Sequence, residues 1–115
     1  KHYTADIAER RGQRVRDMAI EYITEGPVIA ICLEGINAIE NVRKIVGGTE
    51  PKSSPPGTIR GDFAHVSFAH ADTNNLPIKN LIHASGDEKD AKSEVPLWFK
   101  DEELHSYKTI QDFFS

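Results

Sequence analysis

The run Asn80-Leu81-Ile82-His83-Ala84-Ser85 places an ionisable ring at the end of an apolar stretch, just before small residues that turn toward a helix. An imidazole with a reference pKa of roughly 6.5 is largely neutral near pH 7, so its lone pair can attack an electrophile. Such a histidine serves equally well as a hydrogen-bonded structural residue, and its companions have to separate the two readings. Arg43 sits near the end of a helix, Thr49 just beyond that helix's glycines, and Arg60 in the loop Gly57-Thr58-Ile59-Arg60-Gly61-Asp62. With Asn80 they supply planar charged forks, a hydroxyl and an amide, the donors that phosphate oxygens and a ribose require. Each has a plainer alternative. The arginines suit a solvated surface, Thr49 a loop brace, Asn80 backbone satisfaction, Ser85 a helix N-cap and Glu94 an exposed helix face.

Other candidates carry less. His65 and His70 have no Cys or carboxylate partners at metal-ligand spacing, and His2 and His105 are isolated, so no protein metal site is expected. No Gly-Lys-Ser/Thr follows the loop at 57–61, which removes a Walker reading. His83 and Ser85 lack the nucleophile elbow of a hydrolase. Trp98-Phe99 reads as core packing rather than a base-stacking platform.

The elements that must position these residues follow from periodicity. A helix over 5–23, capped by Thr4 and weakened at Gly12, carries Val15, Met18, Ala19 and Tyr22 on one stripe. Glu25-Gly26-Pro27 stops it. Residues 28–33 form a continuous apolar, β-branched run, the pattern of a strand buried on both faces. A second helix starts at Asn37, with Glu40 at capping distance, and ends at Gly47-Gly48. Residues 49–61, rich in Pro and Gly, read as a surface loop outside the core. Residues 63–69 read as an edge strand or extended loop, and 70–79 as a polar loop insertion. A second buried strand is expected at 81–84, a third helix at 87–95 with an acidic first turn, a packed Trp98-Phe99 and a helical turn at 101–104.

At 115 residues the chain is one domain, 1–115, with a modest core. A net charge of -4 argues against general nucleic-acid affinity, and no apolar run approaches the about 20 residues of a membrane span. The single cysteine, Cys32, cannot form an intrachain disulfide, which suits a reducing compartment or a core position. The start at Lys1, without a methionine, suggests an N-terminal piece beyond the sequence. The element order says α/β or α+β, with a sheet incomplete at its N-terminal side.

Taken together, the segments resemble nucleoside diphosphate kinase. The matching blocks are Gly26-Pro27-Val28-Ile29-Ala30, Leu33-Glu34-Gly35 with Asn37-Ala38, and Val42-Arg43-Lys44. Next come Thr49-Glu50-Pro51, Pro56-Gly57-Thr58-Ile59-Arg60-Gly61-Asp62-Phe63, the His83 segment, Leu97-Trp98-Phe99 and Glu102-Glu103-Leu104, in the family's order. The resemblance implies a ferredoxin-like sandwich with an antiparallel sheet and a ping-pong transfer of the γ-phosphate from a nucleoside triphosphate to a diphosphate. His83 would be the phosphorylated nucleophile, Glu94 its orienting carboxylate and Ser85 the neighbouring hydroxyl. Arg43, Thr49, Arg60 and Tyr3 would hold phosphates, and Asn80 the sugar. Mg²⁺ would travel on the nucleotide phosphates, ATP and nucleoside diphosphates would be the partners, and the protein would be cytoplasmic.

The loop at 49–61 matches the family's subunit-contact loop, so a homo-oligomer, a hexamer first, is implied. Four departures stand out: no N-terminal strand with Lys-Pro-Asp, Ser85-Gly86-Asp87 in place of Ser-Asp-Ser, a base-stacking position falling near Val15, and the insertion at 70–79. The first three motivate the alternative of a catalytically inactive nucleotide-binding or interaction module of the same fold.

Overall fold

The computed structural model describes residues 12–107. His2, Tyr3, Thr4 and the first turns of the expected N-terminal helix lie outside them. Within the described residues α1 runs Gln13–Ile23, preceded by Gly12 at φ 90. Thr24 ends it by donating its backbone N–H and its hydroxyl to Ile20 O, at 3.0 and 2.7 Å.

Helix α2, Ala38–Val46, confirms the second predicted helix, but Asn37 enters it left-handed, at φ 52, and makes no side-chain cap. The capping role expected of that residue is absent. Asn41 Nδ2 instead ties the first turn back to the preceding loop by donating to Ile36 O at 3.1 Å. Gly47 terminates α2 at φ 98, and a Cβ there would lie 2.9 Å from Thr58 Oγ1 and 3.1 Å from Ser54 Cβ. Both the dihedral and the close approach demand glycine.

The segment after Gly47 departs most from its sequence pattern. Residues 49–61 hold much of the buried interior of the described chain. Pro51 is fully buried at the start of a 3₁₀ turn, Pro51–Ser53, and Ser54, Thr58 and Arg60 are buried behind it. A polar loop becomes an interior when its side chains satisfy its own backbone. Ser54 Oγ donates to Gly48 O and Glu50 O at 3.2 and 3.0 Å. Thr58 Oγ1 donates to Pro55 O at 2.7 Å while accepting from Gly61 N at 3.0 Å. That second bond caps α3, Ile59–Phe63, which packs against both the 3₁₀ turn and α2.

Helix α4, Phe68–Thr73, replaces the edge strand and part of the loop insertion. Ser67 Oγ accepts from His70 N at 3.0 Å to start it, and the Glu50 carboxylate accepts from Phe68 N at 2.7 Å to anchor it. Helix α5, Glu88–Trp98, begins where Asp87 Oδ1 accepts from Asp90 N at 2.8 Å and runs past the expected end through Pro96. Trp98 is half exposed rather than packed. A final 3₁₀ turn, Asp101–Glu103, matches the predicted one.

No strand forms among the described residues. Residues 28–33 are extended, but Ile29 is 90% and Ile31 70% exposed, so the expectation of a strand buried on both faces is corrected. A strand is buried by neighbours, and those described here do not flank it. Cys32 is exposed as well, not a core residue. Residues 81–84 likewise form no ladder, for a reason that lies in the site.

Candidate functional site

His83 emerges from an unusual piece of backbone. Ile82 N–H donates to Asn80 O at 2.9 Å across Leu81, whose φ is 73. This is a γ-turn with a positive central φ, the rarer and strained form, and it explains why no strand continues through 81–84. Leu81 N–H donates to Tyr22 Oη at 3.2 Å, which ties the turn to the end of α1. Beyond His83 the chain reaches Ser85 and the Asp87 cap of α5.

Helix α5 carries Glu94 one face inward. His83 Nε2 lies 2.6 Å from Glu94 Oε1, and Ser85 Oγ donates to the same oxygen at 3.2 Å. The carboxylate is 8% exposed and the imidazole 36%, so a buried acceptor holds a ring that faces outward. An ionised carboxylate only accepts, so Nε2 carries the proton and the lone pair of the neutral ring sits on Nδ1. Proximity in space, eleven positions apart in sequence, is what makes the pair, and only the resemblance foretold it.

The arginines act on main chain. Arg60 is 6% exposed, with Nε donating to Asn80 O at 3.1 Å, Nη1 to Gly48 O at 3.0 Å and Gly47 O at 3.4 Å, and Nη2 to Ile82 O. Arg43, on α2, donates from Nη1 to Ala84 O at 3.1 Å. Asn80 Nδ2 donates to Thr49 O at 3.3 Å, so the segments that carry these two residues touch directly. Thus His83, Ser85, Glu94, Arg43, Arg60, Asn80 and Thr49 are brought into one neighbourhood, while Tyr3 lies outside the described residues. Sequence reasoning gave no role to Tyr22, whose helical stripe pointed only to packing. Glu50, equally unremarked, has its carboxyl held below the ordinary 4.5 by the Ser53 hydroxyl at 2.5 Å and then by the Phe68 N–H.

Among the described residues, no three His, Cys, Asp or Glu side chains converge as a metal site. No described helix is long and apolar enough to cross a membrane.

Comparison with known proteins agrees on one relationship. The family model for nucleoside diphosphate kinase matches residues 1–104. A nucleoside diphosphate kinase of Borreliella burgdorferi is 47% identical over 109 residues, 94% of this chain. The chain spans 65% of that relative's length. A Borrelia burgdorferi structure, a transition-state mimic of nucleoside-diphosphate kinase with bound vanadate and ADP, superposes at a TM-score of 0.89 with 45% identity, covering 96% of this chain and 67% of that one. A Halobacterium salinarum nucleoside diphosphate kinase in complex with CDP gives 0.74 at 32% identity, covering 97% and 68%. The fold of these structures is the ferredoxin-like α/β fold.

Proposed function

The chain belongs to the nucleoside diphosphate kinase family, and from that premise we propose that it carries a γ-phosphoryl group from a nucleoside triphosphate to a nucleoside diphosphate through His83. The observation that carries the reading is the 2.6 Å bond between His83 Nε2 and the buried Glu94 carboxylate. It fixes the tautomer in which Nδ1 is the nucleophile.

In the first half-reaction the Nδ1 lone pair forms a bond to the γ-phosphorus. The phosphorus–oxygen bond to the β-phosphate breaks, and its electron pair leaves on the departing diphosphate. Glu94 accepts the hydrogen bond from Nε2–H as positive charge grows on the ring, and the proton stays on Nε2. In the second half-reaction a terminal oxygen of another diphosphate attacks the phosphorus, and the phosphorus–nitrogen pair returns to Nδ1. Most of the catalytic demand is therefore on position and charge, as phosphoryl transfer requires. Ser85 holds the same carboxylate oxygen and so steadies the acceptor. Arg43, Thr49, Arg60 and Tyr3 are the proposed phosphate contacts, and Asn80 the sugar contact. Mg²⁺ enters as part of the nucleotide substrate.

The same reading includes the antiparallel sheet of a ferredoxin-like sandwich, a single domain over 1–115, a homo-oligomer with a hexamer first, and a cytoplasmic setting. The relatives solved with ADP and with CDP support nucleotide as the ligand class. The test is a labelling and chase with γ-³²P ATP. Label should enter the protein and leave onto added diphosphate, and His83→Ala should lose transfer while binding nucleotide. Nucleotide binding by the unmodified protein without transfer would replace the enzyme with a binding module.

A further inference from the structure

We propose that Arg60 is a positioning residue for His83: its guanidinium clamps the γ-turn at Leu81 and joins it to the end of α2. This deepens the phosphohistidine reading and rests on it. Leu81 has a φ of 73, strained for a residue other than glycine, and its side chain is half exposed. Packing around a half-exposed side chain supports that dihedral only in part, so other groups must help to over-determine it.

Guanidinium donors are those groups. Arg60 Nε and Nη2 donate to the carbonyls that enter and leave the turn, Asn80 O and Ile82 O. Asn80 O also receives the turn's own bond from Ile82 N at 2.9 Å, so one carbonyl is shared by the turn and the clamp. On its other edge Arg60 Nη1 holds Gly48 O and Gly47 O. A planar fork with donors on both edges spans these acceptors at once, which a single ammonium cannot do. Arg43 adds a bond to Ala84 O on the far side of His83, so the carbonyls at 80, 82 and 84 are all held by guanidinium. Where a neighbouring strand would satisfy this backbone, arginine does so instead. The consequence is a fixed origin for the imidazole, from which it meets Glu94 at 2.6 Å.

The variant Arg60→Lys tests this. It should slow His83 phosphorylation at saturating ATP by about tenfold, a loss in the saturated rate that stands apart from any weakening of ATP binding through the proposed phosphate contact. A many-fold weaker ATP affinity with an unchanged saturated rate would overturn the proposal and make Arg60 a phosphate ligand only. The ¹⁵N spectrum of the His83 ring gives a readout independent of transfer. The unmodified protein should show the Nε2–H tautomer and Arg60→Lys a mixture of tautomers, whereas an unaltered ring in the variant would overturn the clamp. Should Arg60→Lys not fold, the Arg60 Nε–H signal of the unmodified protein decides. It should remain slowly exchanging and little shifted on saturation with ATP, and a large shift with rapid exchange would refute the role. Loss of labelling in the unmodified protein sinks the kinase reading alone, because the ring and Nε–H signals still report on the clamp.

Discussion

Glu94→Gln isolates the charge of the carboxylate from its shape. Glu94 is buried and accepts from both His83 Nε2, at 2.6 Å, and Ser85 Oγ, at 3.2 Å. Glutamine preserves the volume and one acceptor oxygen but removes the negative charge that, in the proposed reaction, balances the imidazolium formed on phosphorylation. A hydrogen bond to a charged group contributes about 1.5–3 kcal/mol net, against about 0.5–1.5 kcal/mol for a neutral one. The loss of about 1–1.5 kcal/mol in the transition state corresponds to a rate about five- to fifteenfold lower. Thermal stability is followed alongside the rate, so that a folding effect of the buried amide is separated from the loss of charge. The assay is rapid-quench measurement of phosphohistidine formation at saturating ATP, with thermal unfolding in parallel. A labelling rate within twofold of the unmodified protein, at unchanged stability, would refute the assignment of Glu94 as the group that orients and balances His83.

Three further outcomes are expected. Gly61→Ala places a Cβ 2.1 Å from Pro55 O and 2.7 Å from Thr58 Oγ1, and urea unfolding should register a loss of about 1–3 kcal/mol or more; an unaffected midpoint would contradict the packing of the 49–61 segment. Leu81→Gly removes a positive-φ cost of about 1–2 kcal/mol against a glycine entropy penalty of about 0.5–1 kcal/mol, so stability should hold or rise by up to about 1.5 kcal/mol, and a clear loss in urea would show that Leu81 is held by packing after all. Glu50 has its carboxyl below the ordinary 4.5. Its contribution is therefore full above 4.5 and disappears as pH falls through the lowered value. Thermal melts down an acid series should show this decline, and Glu50→Gln should flatten it.

Local signals in the sequence translated well, and non-local ones did not. Gly47 ends α2 and Asp87 starts α5 because dihedral freedom and a capping carboxylate act within one turn. The run at 28–33 gave apolar, β-branched residues but could not supply neighbours, and Ile29 and Ile31 remain exposed. The burial of 49–61 was hidden because it depends on Ser54, Thr58 and Arg60 turning inward onto carbonyls, whereas composition records only that they are polar. His83 was visible as a candidate from its own segment. Its bond to Glu94 was not, since helix α5 brings the two together and no periodicity links them. The strained turn at Leu81 left no mark at all, as leucine is an ordinary residue for the strand expected there.

The most direct measurement locates the phosphoryl group. After brief exposure to γ-³²P ATP, ³¹P spectroscopy and peptide mapping should place it on Nδ1 of His83, acid-labile, and added nucleoside diphosphate should remove it. A phosphoryl group on Nε2, on another residue, or one that no diphosphate can discharge would contradict the central claim.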